Sequence, residues 1–256
     1  MKLNPLPAFA DNYIWMLHDG QRALVVDPGD AQPVLDALRH EGVQLQAILV
    51  THHHHDHTGG IDALRDATGA SVYGPALEPM PQPFTPLQGG AAIAVLGLTF
   101  AVFDVPGHTR GHIAYYCADA QPNPLLFCGD TLFSAGCGRI FEGTAAQLQH
   151  SLGALTELPG TTRVCCAHEY TLGNLKFAQE VEPDNAALAA HVDMCRQLRA
   201  RGQPTLPSTI AQERAINPFL RTNVPAVVAS ARAHDAAAVA GHGVFATLRE
   251  WKNHYR

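Results

Sequence analysis

Five histidines and one aspartate fall within Thr51-His-His-His-His-Asp-His-Thr-Gly-Gly60, and this run constrains the chain more than any other feature. It follows Gln46-Ala-Ile-Leu-Val50, an apolar stretch that reads as a buried strand, so the cluster begins where the chain leaves a sheet. A strand end is a rigid place from which to hang metal ligands. Side chains two apart on extended chain face the same way, so His52 and His54 can converge on one ion while His53 and His55 point elsewhere. Asp56 and His57 are expected to open a helix running through Gly60-Ile-Asp-Ala-Leu-Arg-Asp66. Imidazoles with a carboxylate suit a borderline divalent ion such as zinc, manganese or iron. A purification tag would sit at a terminus, not between a buried strand and a Gly-Gly helix start. His18, His40, His150, His191, His234, His242 and His254 read as ordinary surface or core residues.

The remaining sequence supplies a layered α/β frame for this run. Residues 13–18 and 22–27 read as strands joined by Asp19-Gly20, and Ala31–His40 reads as a helix stopped by Gly42. Strands are expected at 71–73, 92–95, 98–105, 112–117, 125–128 and 163–167, a helix at 144–157, and a proline-rich loop over 75–90. Strands mixed with helices imply a layered core. After residue 168 the pattern turns helical, over 185–200 and 226–251, with 202–208 as a connection. This divides the chain into 1–168, a catalytic part, and 169–256, a smaller helical substrate domain.

Charge and cysteine usage narrow the partners. The net charge of −6, without a basic run, makes nucleic acid a poor partner. Six cysteines at 117, 128, 137, 165, 166 and 195 lack the paired spacing of a zinc ribbon or disulfide framework and read as reduced thiols in a cytoplasmic protein. No secretory h-region opens the chain and no stretch of ~18 apolar residues follows, so membrane insertion is not expected. A monomer is expected.

Three further candidate ligands stand just past apolar strands, as the histidine run does: His108 after Phe100–Gly107, Asp130 after Leu125–Gly129, and His168 after Val164–Ala167. Four strand ends of one sheet can bring seven side chains around a single cleft, and their joint recurrence beside glycines carries the argument that none carries alone. Asp27 in Val-Val-Asp-Pro-Gly, another strand end, reads equally as an outer carboxylate that fixes a ligand histidine or as a plain turn residue. His112 reads as packing.

The pattern T-H-x-H-x-D-H, G-H, G-D-T and A-H-E resembles the metallo-β-lactamase superfamily. That resemblance implies a four-layered αβ/βα sandwich with a two-metal site on its edge and a smaller C-terminal helical domain. It implies that His52, His54 and His108 hold one metal, that Asp56, His57 and His168 hold the other, and that Asp130 bridges them. Two divalent ions, zinc first and iron or manganese as substitutes, would supply a metal-bridging hydroxide, which Asp56 is also placed to orient. Such a site reads as a hydrolase.

Three segments choose among substrates: Gly129–Thr144, Ala167–Pro183 and Ile216–Arg221 are similar to the glyoxalase II, or hydroxyacylglutathione hydrolase, family. The similarity runs from Asp11-Asn-Tyr13 nearly to the C-terminus. It implies hydrolysis of an S-2-hydroxyacylglutathione such as S-D-lactoylglutathione to a 2-hydroxy acid and glutathione, the second step of methylglyoxal detoxification. A thiolate leaves readily because thiols ionise near ~8.5, so no general acid is required. Arg139, Phe141, Tyr170, Arg249 and Lys252 are implied to hold glutathione, with Arg249 and Lys252 on one helix face. Phe141 stands where some family members carry tyrosine, and Arg139 where others carry lysine, which keeps the charge but changes the hydrogen-bond geometry. The alternative is a glutathione-persulfide dioxygenase of the same fold with a single iron, against which a complete second ligand set argues.

Overall fold

Alternation along the strands sets the layers. In β2 (Asn12–His18), Tyr13, Trp15 and Leu17 join one apolar cluster while Ile14 and Met16 join another. β3 (Arg22–Val26) and β4 (Gln44–Leu49) divide the same way, Leu24, Val26 and Leu49 on one face and Val25 and Ile48 on the other. One face therefore looks into the space between two sheets. The other is covered by α1 (Ala31–Glu41) through Val34 and Leu38 and by α3 (Ile61–Thr68) through Ile61 and Leu64. The computed structural model describes residues 1–255.

The first six-stranded sheet follows chain order: β1 (Lys2–Ala8), β2, β3, β4, β5 (Ser71–Pro75) and β6 (Thr85–Leu87). The second runs in the order β14-β13-β10-β9-β8-β7, built from β7 (Ala92–Val95), β8 (Leu98–Asp104), β9 (Ile113–Cys117), β10 (Leu125–Gly129), β13 (Arg163–Cys166) and β14 (Ser208–Thr209). α4 (Ala145–Thr156), opened by a Thr144–Gln147 capping box, buries Leu148, Leu152 and Leu155 in the large core. The small β11 (Leu132–Phe133) and β12 (Gly136–Cys137) form a hairpin beside the second sheet.

Strand direction explains why the candidate ligands meet. β3 and β4 are parallel, so Asp27 and the histidine run leave the first sheet at the same edge. In the second sheet β8 and β10 are each antiparallel to β9, and β13 is parallel to β10, so the chain reaches His108, Asp130 and His168 from strands running one way. Carboxyl ends of such strands are where open α/β sheets carry their chemistry. Hydrogen bonds stitch the two sheets at that rim, from the Tyr13 amide to Ala167 O (2.7 Å), from Trp15 Nε1 to Cys166 O (2.9 Å) and from the Ile113 amide to Thr51 O (2.9 Å).

Several sequence expectations change. The expected helix from Asp56 to Asp66 is two helices, α2 (His55–Thr58) and α3, because Gly59 and Gly60 pack against the Gly29 and Pro28 carbonyls and the chain turns there. The 75–90 loop contains β6, and β1 is an edge strand whose Pro5 and Pro7 mask its pattern in the sequence, although an edge tolerates proline. Past residue 168, α5 (Thr171–Val181), α6 (Ala186–Ala200) and α7 (Ile210–Ile216) share a small core through Leu175, Ala178, Leu188, Val192 and Ile216. The expected helix 226–251 lies within α8 (Pro225–His254), which is interrupted at Asp235 and at Gly243, the latter at φ 83°. β14 belongs to this later part of the chain yet extends the second sheet by pairing with β13.

Candidate metal centre and adjoining cavity

Seven donors converge in two sets. His52 Nε2 lies 3.0 Å from His54 Nδ1, which is 3.1 Å from His108 Nε2. His57 Nε2 and His168 Nε2 each lie 3.5 Å from Asp56 Oδ2. Asp130 stands between the sets: its Oδ2 is 3.3 Å from His108 Nε2, while its Oδ1 is 3.3 Å from His168 Nε2 and 3.5 Å from His57 Nε2. Both triads have their ligand atoms within 4.8 Å of one another, a spacing that suits one ion each. Asp130 Oδ1 and His57 Nε2, which faces the other donors, are buried without a hydrogen bond, which is costly unless a cation satisfies them. The donors therefore fit two divalent ions.

An outer ring of acceptors aims these donors. Thr51 donates from its amide (2.7 Å) and its hydroxyl (2.8 Å) to Asp27, so its oxygen is free to accept from His52 Nδ1 at 3.1 Å. Asp27 Oδ2 also lies 3.2 Å from His57 Nδ1. His108 Nδ1 donates to Arg139 O (2.8 Å), and His168 Nδ1 to Asp11 Oδ1 (2.8 Å). Each contact keeps a proton on the outer nitrogen and turns the Nε2 lone pair inward. Asn12 Nδ2 donates to Asp56 Oδ2 at 3.0 Å. His112 stacks on His52 and donates from Nδ1 to Ile113 O, while its Nε2 accepts the Asp130 amide at 3.2 Å. Gly129, at φ 47°, is required before Asp130, since a Cβ there would lie 2.2 Å from Thr51 Oγ1.

The two sets differ electrostatically. Burial, reinforced by neighbouring imidazoles, pushes the proton affinity of His52 well down and lowers that of His54. Burial lowers His108 too, although Asp130 opposes it. Burial also works against the imidazolium of His57 and His168, but carboxylates outweigh it: Asp130, Asp27 and Asp56 raise His57 well above its usual value, and Asp130 with Asp11 raises His168. Although burial favours their neutral acids, the surrounding imidazoles hold Asp130 and Asp56 below the usual carboxylate range.

His53 points away from both triads, as its place in the extended run predicts. It forms a third group with Glu78 and Glu142. Glu78 is not free to bind an ion: its carboxylate accepts from the His53 amide (2.6 Å) and Nδ1 (3.0 Å), from the Gly111 amide (3.0 Å) and from the Thr109 hydroxyl. It braces the histidine run against the turn after His108.

A cavity of about 590 Å3 opens beside the donors, and His108 and Asp130 form part of its wall. All five candidate substrate contacts, Arg139, Phe141, Tyr170, Arg249 and Lys252, line it. Tyr170 stacks on His168 at 4.7 Å, and Phe141 meets His54 and His108 edge-on. Arg249 is buried and donates from Nη1 to Cys137 O (2.9 Å), with its guanidinium over Phe219. No carboxylate among the described residues pairs with Arg139, Arg249 or Lys252. Burial, then Arg249 and Arg139, lowers the proton affinity of Lys252. Asp11, Asn12, Thr51 and Glu78 were not assigned these positions by the sequence. Thr51 left a signal there as the first residue of the T-H-x-H-x-D-H pattern, and Asp11 and Asn12 as polar residues at a strand start inside the similar segment, whereas Glu78 left none.

Residues 9–168 match the model of the metallo-β-lactamase superfamily, the class that two sheets with a His/Asp rim define. Residues 169–255 match the hydroxyacylglutathione hydrolase C-terminus. The chain is 62% identical over 255 residues to a hydroxyacylglutathione hydrolase of Albidiferax ferrireducens, covering all of both chains. Among solved structures it resembles ETHE1 from Myxococcus xanthus in fold, with a TM-score of 0.66, 24% identity and 98% of each chain covered. It also resembles TTHA1623 in a di-iron-bound form, with a TM-score of 0.56, 29% identity, and 64% of this chain and 91% of that one covered. The chain belongs to the hydroxyacylglutathione hydrolase, or glyoxalase II, family of that superfamily.

Proposed function

We propose that this chain hydrolyses S-2-hydroxyacylglutathione thioesters, S-D-lactoylglutathione first among them, to the 2-hydroxy acid and glutathione. The observation that carries this reading is the juxtaposition of three cations lacking carboxylate partners, Arg139, Arg249 and Lys252, with the seven-donor rim in one cavity. Glutathione brings two carboxylates, and charge-assisted hydrogen bonds to them would complete what the protein leaves open. His52, His54 and His108 would hold one ion, Asp56, His57 and His168 a second, and Asp130 both. Divalent ions so held lower the pKa of water and polarise a carbonyl oxygen. The chain's own part is to fix donor geometry through Asp27, Thr51, Asp11, Asn12 and His112, and to seat the thioester with Tyr170 and Phe141 at its sides.

Zinc is the proposed metal, because histidine and aspartate donors with four-coordinate geometry suit it. A division at residue 168 would leave the first part the donors and the later part Tyr170, just before α5, and Arg249 and Lys252 on α8. Six unpaired cysteines support a cytoplasmic setting, no described helix is long and apolar enough to cross a membrane, and a monomer is the proposed state. Following thioester absorbance with S-D-lactoylglutathione and zinc-loaded protein tests the reading. Metal-dependent loss of absorbance is expected, and a metal-replete protein that leaves the thioester intact contradicts it.

A further inference from the structure

Two histidines of the run, His53 and His55, stay outside both triads. His53 is bracketed by carboxylates: its Nδ1 lies 3.0 Å from Glu78 Oε2 and its Nε2 3.4 Å from Glu142 Oε1. The same two carboxylates grip consecutive residues of the turn after His108. Glu78 accepts from the Thr109 hydroxyl and the Gly111 amide (3.0 Å), and Glu142 Oε2 accepts from the Arg110 amide between them (3.1 Å).

Glu142 stands in 138–144, a segment with no helix or strand. That segment presents Arg139 and Phe141 to the cation-lined cavity, whose wall Glu142 itself does not join. From Arg139 to Gly143, its backbone hydrogen bonds among the described residues all go to His108. His108 Nδ1 donates to Arg139 O (2.8 Å), and His108 O accepts from the Phe141 amide (3.1 Å) and the Glu142 amide (3.3 Å). A stretch anchored at one residue can still turn about it, and the Glu142 carboxylate adds a second anchor at His53 and Arg110.

We propose that Glu142 is a positioning residue for the glutathione contacts: by tying its segment to His53 and to the turn after His108, it holds Arg139 and Phe141 at the cavity. This inference rests on the thioester reading above, since it takes glutathione as the occupant. Charge alone predicts the reverse effect. A carboxylate near a cavity that collects anions repels them, so deleting it would tighten binding. Losing the tether weakens binding, because the segment must then be ordered as the ligand arrives.

The test measures S-methylglutathione binding by calorimetry to zinc-loaded wild type, Glu142→Ala and Glu142→Gln, alongside KM and kcat for S-D-lactoylglutathione. S-methylglutathione keeps both carboxylates and has no thiol to reach an ion. Glu142→Ala is expected to weaken binding and raise KM about 3- to 10-fold, with kcat and zinc per chain kept. Glu142→Gln, whose side-chain oxygen still accepts from the Arg110 amide, is expected to restore binding to within about 2-fold of wild type. Tighter or unchanged binding in Glu142→Ala overturns the proposal. Loss of zinc with unchanged affinity overturns it too, since Glu142 would then support His108 alone. Wild type that neither binds S-methylglutathione nor cleaves the thioester would instead overturn the thioester reading, so the two failures are distinguishable.

Discussion

The donor rim and the cavity beside it treat buried polarity in opposite ways. At the rim, His52, His57, His108 and His168 each have an outer partner from the chain itself, at Thr51, Asp27, Arg139 O and Asp11. In the cavity, Arg139, Arg249 and Lys252 stand without a carboxylate partner among the described residues, and burial, then Arg249 and Arg139, lowers the proton affinity of Lys252. The rim is thus organised before anything binds, while the cavity is electrostatically incomplete until an anion arrives. Damage to the rim should act on metal content and kcat, and damage to the cavity on KM.

Asp130→Ala should break this contrast most severely, because it removes the carboxylate whose two oxygens face the two triads. Turnover is expected to fall by about 1000-fold or more, with metal per chain reduced on elemental analysis. Asp27→Ala and Asp11→Ala each remove an outer partner and should cost about 10- to 100-fold in metal affinity, measured by chelator competition. An Asp27→Ala protein with wild-type affinity would mean that Asp27 is only a turn residue. Lys252→Ala should raise KM about 10-fold with kcat nearly kept, the loss of one charge-assisted contact. A fall in kcat with unchanged KM would place Lys252 in the chemistry instead.

The smallest effect concerns Glu213, fully buried in α7, where Oε2 accepts from the Ala135 amide (2.8 Å) and Asn217 Nδ2 (3.1 Å). Burial raises its pKa above the unfolded value. Its contribution to stability is therefore full below the unfolded carboxyl range and is lost as pH rises through the folded value. Glu213→Gln keeps an acceptor without the charge. Its Tm relative to wild type should rise by roughly 2–4 °C between about pH 4 and pH 7, and a difference flat with pH would contradict the buried-charge account.

The rim was legible because its chemistry is local to the sequence. His52 and His54 follow from the two-residue repeat of extended chain, and His108, Asp130 and His168 from their place after apolar strands. The outer partners were less so, since Glu78 lies 25 residues from His53 and Asp11 lies 157 from His168, and only tertiary packing joins them. The cavity depended on resemblance alone, because a surface charge and a ligand-seeking charge look identical in sequence. Arg249 illustrates this: its helical spacing to Lys252 is visible, but its burial against Cys137 and Phe219 is not. The helix break at Gly243 was hidden because apolar periodicity continues across it, whereas His55–Thr58 before Gly59-Gly60 carries no apolar residue that could mark it as a separate helix.

Titrating metal-free protein with zinc while following S-D-lactoylglutathione cleavage tests the central claim most directly. The account predicts that activity climbs until two equivalents per chain are bound. Full activity reached at one equivalent, with no second ion taken up, would contradict it.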